Sequence, residues 1–190
     1  MTWIAPTLWD LLKPKRPLRR RPPTAPAPPA PVAPTVPDAA GPVRAKAARR
    51  RPMQERYDAL VVDMKHEHGV RIRKWRSSMT GVAWQLLDQR TGAITRLIES
   101  PRPKGPMSCA IFLHEIGHHA IGFGTYRPRC LEEYYAWRWS LETMRERNFN
   151  VTAAVEKRMV ASLAYAIDKA ERRGLKRLPM ELVPYRGAWD

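Results

Sequence analysis

Apolar and polar positions alternate with two different periods along residues 53–190. Over 54–68, Tyr57, Leu60, Val61 and Met64 recur at helical spacing and Gly69 follows as a stop, so the pattern predicts a first helix. Residues 70–75, 82–87 and 93–98 then read as three short strands, and Asp88-Gln89-Arg90-Thr91-Gly92 reads as a hairpin loop between the last two. The run from Pro101 to Pro106 breaks the pattern. Three helices are expected after it. The first spans 109–121, opened by Ser108 as N-cap and closed by Gly122 and Gly124; the others span 129–148 and 152–173. A helix, three strands and three helices give an α+β fold rather than alternating βαβ units. No internal repeat is visible.

Residues 1–52 have no such period. They hold 13 of the 19 prolines, 11 of the 34 Lys and Arg and 2 of the 18 acids, a net of +9 out of +16. A segment built of Pro, Ala, Val and Thr cannot bury enough surface to offset its ordering entropy, so a disordered, basic, Pro-rich arm is expected over 1–52 and a folded domain over 53–190. The two cysteines are too few for a disulfide-stapled scaffold or a Cys₄ zinc knuckle. The longest apolar run, near 159–167, is about half of what a membrane span needs. Positive charge follows the first apolar patch instead of preceding it, unlike a signal peptide. A cytoplasmic protein is the expectation.

Residues 114–118 read His114-Glu115-Ile116-Gly117-His118. On a helix, positions i and i+4 are about 40° apart, so both imidazoles point the same way from successive turns and can share one zinc ion. Glu115 lies about 100° round, in reach of a water at an open coordination position. The alternative is a hydrogen-bonded pair of core histidines with a surface glutamate. Two histidines need a third protein ligand, and the next helix offers Glu132 and Glu133. Its apolar stripe, Cys130, Tyr134, Trp137, Leu141 and Met144, is spaced 4-3-4-3. Glu133 falls about 60° from the centre of that stripe and Glu132 about 160° away, so Glu133 is expected at the metal and Glu132 in solvent.

His114-Glu115-Ile116-Gly117-His118, a Gly-containing turn and a helix carrying Glu133-Tyr134-Tyr135-Ala136 together resemble the gluzincin branch of the zincins. Within it they resemble most the ImmA/IrrE-type metallopeptidase domain, a small fold of bacteria, phages and mobile elements. The order of elements is similar too. The resemblance spans roughly 53–149. It implies a compact zincin-like fold with a short antiparallel sheet, and a zinc-dependent metallopeptidase that cuts a protein or peptide substrate. His114, His118 and Glu133 would be zinc ligands and Glu115 the general base. It also implies an edge strand beside the metal that pairs with extended substrate, which in this chain would be 93–99.

Lesser candidates surround this motif. His119 faces about 100° away from His118 and is expected as a supporting or surface group. His66 and His68 flank Glu67 at a helix end and read as solvated. Tyr126 and Arg127 follow the metal helix and could donate to a developing oxyanion. Cys109 and Cys130 are expected as a reduced pair of core residues. The basic runs at 13–21, 44–51, 71–76 and 172–177 support a rival reading: a nucleic-acid-associated or regulatory protein, reached through its basic arm, with a zinc site that does no catalysis.

Overall fold

The structure, a computed structural model, describes residues 52–188. Of the arm expected over 1–52, all but Pro52 lies outside the described residues. Helix α1 (Pro52–Glu67) leads to strands β1 (Val70–Arg76), β2 (Val82–Leu87) and β3 (Ile94–Pro101). Helices α2 (Pro106–Ile121), α3 (Arg129–Glu146) and α4 (Ala153–Arg172) follow, and a 3-10 segment, Met180–Tyr185, comes last. The class is α+β as expected.

Helix α1 buries Tyr57, Leu60 and Met64, three of the four positions the periodicity picks out. Tyr57 stacks on Phe149 with ring centroids 5.0 Å apart, tying α1 to the residues just after α3. Gly69, at φ 60, supplies the left-handed residue that turns the chain out of the helix and into β1.

The sheet differs from the expected antiparallel one. Strands β2 and β3 form the hairpin, in register from Val82↔Glu99 to Leu87↔Ile94. The Asp88 carboxylate closes its turn by accepting from the backbone N–H groups of Arg90 and Thr91 at 2.8 and 3.2 Å. Strand β1, however, pairs parallel to β3, so the order is β1-β3-β2 and the sheet is mixed. Period-2 patterning identifies strands but not their neighbours. The neighbours are set by burial: β3 ends in four buried residues, Ile98 to Pro101, and takes the middle. Strand 93–99 is therefore not an edge and has no free ladder to offer a peptide; the edges are β1 and β2. On β1 the edge carries exposed Arg71, Arg73 and Lys74 and a register shift between Ile72 and Lys74, both of which discourage further strand pairing.

Helix α2 runs through the middle of the molecule, with every residue from Ser108 to His119 buried. It begins three residues earlier than its periodicity suggests, because Pro106 is preorganised for a first helical position. Ser108 is thus in the first turn and not the cap. Its hydroxyl accepts from the N–H groups of Lys104 and Gly105 at 2.9 and 3.2 Å. Helix α3 lies directly against α2. A Cβ on Gly117 would sit 2.8 Å from the Ala136 carbonyl oxygen, so the close crossing requires glycine at 117. The Ser140 hydroxyl donates to the Ala110 carbonyl across the same contact at 2.8 Å. Helix α4 is capped by Thr152, whose side chain accepts from Val155 N–H. It buries Val155, Leu163 and Ile167, and its Ser162 accepts a hydrogen bond from Trp137 Nε1 at 3.1 Å. No described helix is long and apolar enough to cross a membrane.

Candidate metal centre

The crossing of α2 and α3 brings His114, His118 and Glu133 together. One ligand atom from each lies within 4.8 Å of the others, and all three residues are buried. His114 Nε2 is 3.3 Å and His118 Nε2 3.6 Å from Glu133 Oε2. The group can hold a metal ion.

Packing fixes each ring. His114 stacks on Trp137, centroids 4.4 Å apart, and His118 lies parallel to Phe123 at 5.8 Å. His118 Nδ1 donates to Glu132 Oε1 at 3.2 Å, which leaves Nε2 directed at Glu133 without a hydrogen bond. A buried imidazole with one nitrogen anchored by a carboxylate and the other without a hydrogen bond is arranged as a metal ligand.

Glu132 is therefore not solvated, contrary to the helical-face expectation. It is 1% exposed. A helix α3 packed on one face only would leave Glu132 in solvent, but the turn over residues 122–128 folds across its first turn and covers a second face. Gly124 N–H donates to Glu132 Oε2 at 2.9 Å, and Arg129 Nη1 stands 3.3 Å from Oε1. The available signal was a pair of adjacent glutamates following a turn that carries Gly122 and Gly124, whose backbone N–H groups can reach a nearby carboxylate. Arg129 also donates through Nε to Glu133 Oε1 at 3.3 Å, so a single guanidinium braces both carboxylates.

Glu115 sits beside the cluster and 1% exposed. Its Oε2 has no hydrogen-bond partner. The chain just before β2 presses on it: a Cβ added to Gly81 would fall 2.3 Å from Glu115 Oε1. Burial pushes the Glu115 carboxyl up to about 8. Burial also pushes His114 down to about 4, against the hydrogen bond it shares with Glu133. His118 goes the other way. Burial disfavours its charge, but Glu133 and Glu132 together outweigh that and raise it to about 9. Glu133 is in turn held well below the usual carboxylate range, because the His118 charge beside it and the contact with His114 overcome its burial. Without metal, an imidazolium on His118 and the Arg129 guanidinium together balance the two buried carboxylates.

The lesser candidates separate. His119 is buried, with Nε2 donating to the Leu97 carbonyl at 3.1 Å and its ring edge-on to Phe123; it supports the sheet and does not face the cluster's donor atoms. Tyr126 stacks on Tyr135 at 3.9 Å. Arg127 is exposed on a cleft of about 390 Å³ that Glu132 also lines. His68 packs edge-on against Trp139, well apart from the cluster in sequence and outside its ligand set. Cys109 and Cys130 are both buried and free. Compared with known protein families, with curated proteins and with solved structures, the chain matches none.

Proposed function

We propose that this chain is a zinc-dependent metallopeptidase that hydrolyses a peptide bond in a protein partner. The observation that carries the reading is a buried His114–His118–Glu133 donor set with a fully buried Glu115 beside it that makes no hydrogen bond through Oε2. The donor set suits zinc: two imidazoles and one carboxylate are ligands zinc takes, and the orphaned His118 Nε2 is the kind of atom a metal would satisfy. When bound there with three protein ligands, zinc supplies a Lewis acid and an acidified water.

The chain's own residues have separate tasks. His114, His118 and Glu133 hold the ion. Glu132 fixes the His118 ring and keeps its Nδ1 as the donor, so that Nε2 remains available. Glu115 accepts the proton of the attacking water and returns it to the departing amide nitrogen. Its Oε2, buried beside the donor set and without a hydrogen-bond partner, is placed to take that proton. The edge that starts beside Glu115 is β2, since it follows Gly81 directly; an extended substrate would add there, not on β3.

The test is a metal analysis coupled to one variant. Purified full-length protein should carry about one zinc per chain. Glu115→Gln should keep that zinc and lose cleavage of a co-purifying partner by a factor of about 10² to 10⁴. The rival reading, a basic nucleic-acid-associated protein with a stabilising zinc, expects no difference between wild type and Glu115→Gln in any proteolysis assay.

A further inference from the structure

The cleft between the 122–128 turn and the first turn of α3 borders the candidate metal centre through two residues. Glu132 lines it and holds His118 by a hydrogen bond; Phe123 lines it and lies parallel to the His118 ring. A group seated there is one residue removed from the metal ligands.

The charges on its walls are unequal in what they have left to offer. Glu132 is already engaged by His118, by Gly124 N–H and by Arg129, so its charge is balanced within the site. Arg129 is engaged by Glu132 and Glu133. Arg127 is exposed and forms no ion pair among the described residues. A cation entering the cleft finds no free acid, whereas an anion finds a free guanidinium.

The surroundings add to this bias. Lys169, Arg172, Arg173, Lys176 and Arg177, at and beyond the end of α4, form no ion pairs among the described residues. Of these, Lys169 feels the charges of Arg129, which lines the cleft, and of Glu133. The remaining walls, Phe123, Tyr126 and Pro128, are apolar around a volume of about 390 Å³. That is room for a single side chain with its backbone, not for a row of phosphates.

Resting on the metallopeptidase reading, we propose that this cleft is a specificity pocket for an acidic side chain of the substrate, with Arg127 as the residue that recognises it. A charge-assisted, two-pronged guanidinium–carboxylate contact is the recognition such a wall provides.

The test uses full-length Glu115→Gln loaded with zinc, so that peptides bind without being cut. The probes are two fluorescein-labelled decapeptides on a Ser/Ala scaffold, one with central Asp and Glu and one with Asn and Gln in their places. The acidic peptide should bind about tenfold more tightly, the scale of one charged hydrogen bond. Arg127→Ala should remove that preference. Lys65→Ala should keep it; Lys65 lies on α1, beside the far end of α3 where Arg147 pairs with Asp63 and Glu67. Equal affinity for the two peptides overturns the proposal. So does an equal loss in Lys65→Ala, or a 20-nucleotide single strand whose binding falls as far with Arg127→Ala as the acidic peptide's does. Separately, zinc-loaded wild type is incubated with a proteome-derived peptide mixture. No cleavage beyond that of Glu115→Gln removes the metallopeptidase reading and leaves the binding comparison standing. Cleavage without Asp or Glu near the cut removes the pocket proposal alone.

Discussion

Glu132 Oε1 accepts a hydrogen bond from His118 Nδ1 at 3.2 Å, inside a contact where both side chains are almost wholly buried. That bond settles which nitrogen of His118 faces Glu133. Glu132→Ala removes it, frees the ring to rotate and leaves Gly124 N–H without its acceptor. The expected result is a 10- to 100-fold weaker zinc affinity. Competition against a chromophoric chelator measures it; unchanged affinity would mean that the stacking on Phe123 alone holds the ring.

Glu133 and the two histidines bridge α2 and α3, so occupancy of the site should couple to folding. Chelator treatment should lower the melting temperature of the wild type, and zinc should restore it. His114→Ala and Glu133→Ala should lose most of the zinc, and their melting temperatures should no longer respond to it. Glu133→Ala should be the less stable of the two without metal, because His118 then keeps a buried charge with only Glu132 to balance it. A zinc-dependent melting shift that survives in Glu133→Ala would place the third ligand elsewhere.

Gly81 and Glu115 are too close to admit even a methyl group between them. Gly81→Ala forces a Cβ to within 2.3 Å of Glu115 Oε1 and 2.5 Å of its Cγ. Overpacking of this kind costs roughly 1–3 kcal/mol. In a Glu115→Ala background the slot is vacant and the added methyl has room. The double variant should therefore be more stable than the sum of the two single effects, a coupling that urea denaturation can read. Additive effects would mean that the strand moves aside and that Gly81 does not position the carboxylate.

Much of this was legible in the residues. The buried positions of α1, the limits of β2 and the closing Asp88–Gly92 turn follow from spacing and turn chemistry alone. His114, His118 and Glu133 follow from helical angles, because two imidazoles at i and i+4 and one carboxylate beside an apolar stripe have few other places to go. Sheet order was not legible: alternation along 70–76 is the same whether that strand pairs with β2 or with β3, and the choice depends on which strand the helices bury. Glu132 was missed for a related reason. A helical wheel reports one packed face, whereas α3 is covered on a second side by the turn that precedes it.

His119 provides a dependence on pH that does not require the metal. Its Nε2 donates to the Leu97 carbonyl, its Nδ1 has no hydrogen-bond partner, and burial pushes it down to about 4. The charges of His118, Arg96 and His68 push in the same direction, while the bond to Leu97 opposes them. In the unfolded chain the imidazole titrates near about 6.5. Between those two values the unfolded chain takes up a proton that the folded protein refuses, so folding stability falls as pH drops from about 6.5 toward about 4, and His119 adds no further loss below that. The full span is worth up to about 3 kcal/mol. His119→Gln keeps an N–H donor for Leu97 and cannot titrate. Urea unfolding of chelator-treated wild type and His119→Gln at pH 7, 5.5 and 4.5 should show a stability gap that shifts steadily in favour of His119→Gln as the solution becomes more acidic. Other titrating groups, His118 included, are common to both proteins and largely cancel in the difference. A gap that stays constant across the three pH values would mean that His119 accepts a proton in the folded protein as readily as in the unfolded chain, through opening of the contact between α2 and β3.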